Sequence, residues 1–232
     1  MERNLAIIPA KHYSRRFFGK NFRNFHGRRM FEYALMAAQE SRLFESIYFS
    51  TDSAQAMRTA KRYGISNENL RPKKLTKDHV RLVDVIEYIL TEYAAKNISF
   101  DNICLIYATA PMLEARDIRS AYKIFKKEKL DSLCGASRCT KSPLYAFYDH
   151  GNGRYTRLID RLPSFDRNRF IFDSGAFYWF TVKSFRRYKH VYGRRHQFFM
   201  LPKWKSVDID YPEDFELLNL YWDKYKPKKY TR

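Results

Sequence analysis

Apolar residues along this chain fall into two kinds of stretch. Leu5–Ala10, Ile47–Thr51, Ile103–Thr109 and Leu133–Ala136 are short apolar runs. Their length and continuity suit strands buried on both faces of a parallel sheet. Between them lie Met30–Leu43, Ser53–Tyr63, Val83–Ala95 and Ala115–Lys127, read as helices. Phe31, Ala34, Leu35 and Ala38 recur at helical spacing in the first, and Ile86, Ile89, Leu90 and Tyr93 in the third. The order strand, helix, strand, helix, helix, strand, helix, strand predicts a largely parallel sheet covered on both faces, a Rossmann-like open sheet or half-barrel with right-handed crossovers. After Thr140 the pattern changes. Leu144–Tyr148 and Tyr155–Ile159 flank Gly151-Asn152-Gly153, a hairpin signal, and Arg161–Arg169 is basic and irregular. The chain returns through Ala176–Val182 and Phe198–Leu201. A last helix after Pro212 sets Phe215, Leu218, Trp222 and Tyr225 near one face, and the tail from Lys226 is expected to fray.

At 232 residues and 45% hydrophobic content, one α/β domain with a sizeable core is expected. There is no run of 18 or more apolar residues, so no membrane span is predicted. Met-Glu-Arg-Asn leads straight into a strand without a signal segment, which makes a cytoplasmic protein the expectation. Cys104, Cys134 and Cys139 are odd in number and lack zinc-ligand spacing, as befits small buried thiols. The six histidines show no ligand spacing either, and no GxSxG elbow occurs. Charge changes the picture more. Lys and Arg number 44 against 25 Asp and Glu, a net +19 that favours anionic partners: nucleotides, acidic sugars, nucleic acid or a membrane surface. With 17% aromatics, a polyanion- or nucleic-acid-binding protein is one reading. Against it, the aromatics fall mostly at core spacing and no nucleic-acid-binding motif appears.

Candidate chemistry begins where the first strand ends. Ala10 leads into a loop carrying Lys11, Arg15, Arg16 and Lys20, with the Ser14 hydroxyl and the Asn21 amide. In open α/β sheets the strand ends are where ligands bind. Neither GxGxxG nor GxxxxGK[ST] is present, so phosphates would be held by cationic side chains and backbone N–H groups. A nucleoside triphosphate fits four cations. Asp208 and Asp210 are two apart, and on an extended segment such residues share a side. Two carboxylates suit a Mg²⁺ that takes its other oxygens from phosphate or water; the alternative is a pair of exposed loop acids. Glu213 and Asp214 answer instead to the first turn of the last helix. Arg71 is a candidate second clamp or a surface arginine. Tyr107-Ala108-Thr109-Ala110-Pro111 ends a strand beside a possible pocket, or is an ordinary strand end. Gly175, within Asp173–Trp179, permits close backbone approach to a ligand, among aromatics whose default place is the core.

Taken together, these motifs resemble the cytidylyltransferases that make CMP-activated nonulosonic acids. Their loop reads roughly Ile-Pro-Ala-Arg-x-x-Ser-Lys-Arg…Lys-Asn, similar to Ile8–Asn21. Tyr107–Pro111 looks like the pseudaminic acid branch, where the sialic acid branch tends toward Gln-Pro-Thr-Ser-Pro. Asp173–Trp179 is similar to that branch's Ala-Gly-Gln-Phe-Tyr-Trp, and Ser50-Thr51-Asp52 and Arg71-Pro72 match in order. The likeness runs from Ala6 to about Leu217. It implies a single three-layer, glycosyltransferase-A-like nucleotidyltransferase domain over residues 1–232, with residues 140–170 as a dimerisation arm of a homodimer. It also implies the reaction: the anomeric hydroxyl of an acidic nine-carbon sugar attacks the α-phosphorus of CTP, with Mg²⁺ present, and pyrophosphate leaves. By position, Ala10, Lys11, Ser14, Arg15, Lys20, Asn21 and Arg71 would face the nucleotide. Asp208 and Asp210 would hold the metal and, with Lys20, serve catalysis, while Tyr107, Thr109, Gly175 and Phe177 would line the sugar side.

Three departures stand out. Lys11 replaces an arginine and loses the bidentate fork. His12-Tyr13 replace two small residues, and Val80-Arg81-Leu82 replace small hydroxyl residues. They motivate a second reading, a homologue with altered nucleotide use or lost catalysis acting as a binding subunit.

Overall fold

The computed structural model describes residues 2–139, 146–151, 153–157 and 170–226. In chain order the first half runs β1 (Asn4–Ala10), β2 (Asn24–Phe25), β3 (Arg28–Arg29), α1 (Met30–Ser41), β4 (Ser46–Thr51), α2 (Ala54–Ala60), α3 (Leu82–Ala94) and β5 (Asn102–Ile106). The second half runs α4 (Ala115–Lys127), β6 (Ser132–Arg138), β7 (Phe147–Asp149), β8 (Tyr155–Arg157), β9 (Ile171–Thr181), α5 (Val182–Tyr188), β10 (His196–Met200) and α6 (Pro212–Tyr225).

Six strands form one sheet in the order β10-β6-β9-β5-β1-β4. β1 lies between β4 and β5 and is parallel to both, with Ala10 opposite Thr51 and Leu5 opposite Ile103. β10 is parallel to β6. β9 runs antiparallel between β5 and β6, with Leu105 opposite Tyr178 and Leu133 opposite Trp179. Helices cover both faces. On one, Ala6, Ile8, Cys104 and Trp179 pack with Phe31 and Leu35 of α1 and Ile118 and Phe125 of α4. On the other, Leu5, Ile7, Leu105 and Tyr178 pack with Ile86 and Ile89 of α3 and Phe185 of α5. Burial on both faces is why the first and third strands read as continuous apolar runs. This is a three-layer α/β architecture around a mostly parallel sheet.

The boundaries carry two corrections. The run Ile103–Thr109 leaves the strand after Ile106: the Tyr107 N–H bonds to the Ala176 carbonyl, and the Ala110 N–H turns back to Tyr107. The returning strand is longer than Ala176–Val182. It begins at Ile171, Asp173-Ser174-Gly175 interrupting the apolar residues between Phe172 and Ala176, and a register shift against β6 falls between Cys134 and Ala136. α6 adds a third cluster, in which Leu218 and Trp222 meet Phe17, Phe25, Tyr33 and Ile209. That cluster anchors both the loop after β1 and the segment before α6. β7 pairs antiparallel with β8. The rest of the expected arm lies outside the described residues: 140–145, Asn152 and 158–169, including Leu144, Ile159 and Arg161–Arg169. So does the tail after Lys226. No helix among the described residues is long and apolar enough to cross a membrane.

Candidate active site

At the carboxyl ends of β1 and β5 the chain encloses a cleft of about 320 Å³. Pro9, Lys11, Arg16, Lys20 and Asn21 line it from the amino-terminal side, and Asp208 and Asp210 from the segment before α6. Tyr107 and Thr109 close one end, and Arg71, Lys77, Val80 and Leu82 form the opposite wall. The two ends of the chain meet directly. Lys20 Nζ donates to Asp210 Oδ1 at 3.0 Å and to the Ile209 carbonyl, and Arg16 Nη2 lies 2.8 Å from the same Asp210 oxygen. Local structure aims these groups. Phe17 is buried against Phe215 of α6, and Gly19 takes φ +67° to start the turn Lys20–Phe22. The Asn21 amide donates to the Lys11 carbonyl at 2.9 Å, closing the loop on itself.

The cations divide by partner. Lys11 pairs with Asp78 at 2.9 Å. Arg71 is buried: Nε donates to Ser50 Oγ at 2.9 Å and Nη2 to the Ser50 carbonyl at 2.8 Å, so it also ties the end of β4. Burial lowers its pKa, opposed by Asp52. Ser14 and Arg15 do not line the cleft; Arg16 does so in place of Arg15, because Phe17 must turn inward. Ala10 is buried in β1, with its main chain paired to β4. Lys77 was missed by sequence reasoning; the only signal was the basic stretch that follows Arg71. The bulky residues after Lys11 do not crowd the cleft. The His12 N–H donates to Asp52 Oδ1 at 2.7 Å, its ring packs on Phe18 and Phe22, and Tyr13 is exposed.

Asp208 and Asp210 share the cleft as their spacing requires. Loss of solvent raises the pKa of Asp208 and Asp210 adds to it, while Lys20 and Arg16 oppose the rise. Gly175 does not line the cleft. It sits at φ +61° beneath Asp208, and a Cβ built there would lie 3.4 Å from the carboxylate carbon. Gly175→Ala is expected to cost about 1 kcal/mol from the left-handed backbone. Denaturant melts of the variant check this.

The sugar-side candidates separate. Thr109 and Tyr107 line the cleft, and burial together with Asp173 and Asp208 pushes the Tyr107 phenol up to about 12. Phe177 is a correction: it is fully buried and packs near Phe199 on the α1–α4 face. Side chains alternate along a strand, so its neighbour Tyr178 takes the opposite face. There a second cleft of about 390 Å³ shares Tyr107 and Leu82 with the first. Its other walls are Val83, Leu105, Asp173, Tyr178 and the Lys189–Tyr192 loop. Asp173 Oδ2 accepts from the Tyr178 hydroxyl at 2.7 Å and from the Tyr192 hydroxyl, and Oδ1 accepts from the Gly175 N–H at 2.9 Å. Burial, then Asp173, raises both phenol pKa values. No sequence signal linked these three side chains.

Residues 5–227 match the model of a family described as cytidylyltransferase. The chain is 27% identical over 223 residues to the pseudaminic acid cytidylyltransferase of Campylobacter jejuni, covering 95% of this chain and 96% of that protein. It is 29% identical over 219 residues to the CMP-N,N'-diacetyllegionaminic acid synthase of Legionella pneumophila, covering 93% and 94%. Among solved structures, CMP:2-keto-3-deoxy-manno-octonic acid synthetase, complexed with CTP, aligns with a TM-score of 0.68 at 13% identity. That alignment covers 96% of this chain and 99% of the other, and speaks for the fold alone.

Proposed function

The chain belongs to the cytidylyltransferase family, and on that premise we propose that it transfers CMP from CTP to the anomeric hydroxyl of a nonulosonic acid, pseudaminic acid foremost, releasing pyrophosphate. The observation that carries this reading is the meeting of Lys20 and Asp210 at 3.0 Å inside a cation-lined cleft. Lys11, Arg16, Lys20, Arg71 and Lys77 would surround the triphosphate, and the second cleft would take the acceptor. Tyr107 and Leu82, common to both, bring acceptor and α-phosphorus to one wall. Attack by the hydroxyl then expels pyrophosphate into the basic end, where fixed charges meet the charge that develops.

The residues present fit a magnesium ion. Asp208 and Asp210 line one cleft, and Gly175 leaves room beneath the Asp208 carboxylate. Two carboxylates with phosphate and water oxygens form a donor set that Mg²⁺ favours. When bound, the ion would neutralise phosphate charge and align the reacting oxygens. Arg16 and Lys20, both held on Asp210, line the same cleft and would serve the phosphates. On this reading the protein is a cytoplasmic homodimer, and its product feeds surface-glycan or flagellin glycosylation.

A second reading, altered nucleotide use or lost catalysis, is favoured by two observations. Lys11 is engaged by Asp78, and Val80 and Leu82 put apolar surface in the nucleotide wall. One assay separates the two: pyrophosphate release with Mg²⁺, each of CTP, UTP, ATP and GTP, and a panel of nonulosonic acids. Release with CTP and pseudaminic acid is the expected result. Nucleotide or sugar binding without release supports the second reading.

A further inference from the structure

Away from both clefts, a further pocket of about 330 Å³ opens where β5 begins and β9 ends. Two helix faces converge on it. Leu90 and Ala94 are four apart on α3, and Val182 and Arg186 are four apart on α5, so each pair shares one side of its helix. Asn97 takes φ +57° and turns the chain after α3, with the Ile98 N–H bonded to the Tyr93 carbonyl at 3.0 Å. That turn brings Ile98, Ser99 and Phe100 into the wall. α3 is 13 residues long, about 20 Å. Its first turn lines the first cleft through Leu82 and Val85, and its last turn lines this pocket, so the two are separate sites.

The pocket has two chemical halves. Leu90, Phe100 and Val182 are buried and, with Ile98, make its walls apolar. No carboxylate lines them. Arg186 is exposed where it meets the pocket, and it has no ion pair or hydrogen bond among the described residues. Neighbouring cations are taken: Lys189 by Glu87, and Arg187 by the Tyr188 ring at 5.4 Å. The Ser99 hydroxyl also lacks a partner among the described residues. We propose that this pocket is a second binding site, apart from catalysis, for an amphiphilic oxyanion: a carboxylate or phosphate monoester on a short apolar tail. The planar guanidinium pairs with two oxygens of the head group, and Ser99 adds a donor. The tail displaces water from Leu90, Ile98, Phe100 and Val182. The volume is that of a small-molecule site. A bare inorganic anion leaves the apolar walls wet, and a neutral alcohol leaves Arg186 unpaired, so both halves of the ligand are needed. The site goes beyond the transferase reading and does not depend on it.

Isothermal titration of the full chain with octanoate and with octyl phosphate tests this, against 1-octanol and inorganic phosphate. One or both amphiphiles should bind once per chain, and the tighter of the two identifies the head group. Each control should bind at least about tenfold more weakly. Arg186→Gln keeps an exposed polar side chain and should weaken the amphiphile about 10–100-fold, the range for hydrogen bonds to a charged group. Ala94→Trp sets an indole over the pocket and should abolish binding. The first cleft also holds cations, so the titrations are repeated with excess CTP and Mg²⁺, and the affinity should be unchanged. Absence of binding by both amphiphiles, a control binding as tightly, wild-type affinity in either variant, or displacement by CTP overturns the inference. Absence of pyrophosphate release by the wild type would bring down the functional reading and leave this site standing.

Discussion

Asp210→Asn is expected to lower the rate of pyrophosphate release on the order of 10²–10³-fold while leaving the fold in place. The substitution keeps the side-chain shape and removes one charge. That charge is the shared partner of Arg16 at 2.8 Å and Lys20 at 3.0 Å, and half of the proposed magnesium donor set. The stability cost is small. The Arg16 side chain is 56% exposed and Asp210 23%, so solvent screens the pair and its loss is worth no more than about 1 kcal/mol. Lys20 keeps the Ile209 carbonyl as a partner. The melting temperature should therefore move by only a few degrees, roughly 2–4 °C per kcal/mol for a chain of this size. Asp208→Asn is the companion: Asp208 makes no ion pair among the described residues, so its variant should lose rate with still less change in stability. Steady-state rates and calorimetry on both variants decide the matter. Wild-type turnover in Asp210→Asn would remove the pair from the catalytic machinery.

Lys205→Met is expected to destabilise the protein by about 3–5 kcal/mol, the usual cost of removing one partner from a buried ion cluster. The Lys205 side chain is 2% exposed, and its Nζ lies 2.6 Å from Glu114 Oε2 and 2.5 Å from Asp117 Oδ2. Glu114 caps α4 and Asp117 completes the cap by accepting the Glu114 N–H at 2.9 Å. Without Lys205 the two carboxylates face each other, relieved only by Arg116 at 2.7 Å and by the helix N-terminus. Burial works to raise the Glu114 pKa, but Lys205 and Arg116 prevail and hold it below its ordinary value. A depressed carboxylate stabilises the folded state above its unfolded pKa. The contribution is therefore present at neutral pH and lost as pH falls through the folded value. The triple variant Lys205→Met/Glu114→Gln/Asp117→Asn should recover most of the loss, since it leaves no buried unpaired charge and only the exposed Arg116 loses its partner. Guanidinium titrations of both variants measure the difference. A loss under 1 kcal/mol in Lys205→Met, against the range above, would mean the carboxylates re-solvate freely. Lys205 lies three residues before Asp208, so this cluster also ties the acidic pair to the amino end of α4.

Much of the architecture was legible because its signals are local. The apolar runs of β1 and β5 and the helical spacing in α1 and α3 report burial within a few residues of themselves. Lys11, Lys20, Asn21, Arg71, Tyr107, Thr109, Asp208 and Asp210, singled out from the sequence, all line one cleft. The aspartates do so because residues two apart on extended chain share a side whatever surrounds them. Ser14, Arg15 and Phe177 were misplaced by the same kind of reasoning, since motif order does not say which neighbour along the chain turns inward.

The sequence by itself determined the alternation of strands and helices, the basic loop and the spacing of the acidic pair, all properties of contiguous residues. Only the tertiary structure decided that β9 runs antiparallel, that Arg16 and Lys20 share Asp210, and that Asp173 gathers Tyr178 and Tyr192 beside the first cleft. These contacts join residues as distant in the chain as Arg16 and Asp210. No periodicity records them, because they arise from how two faces of one sheet and the third cluster under α6 are packed, and packing depends on all the side chains at once.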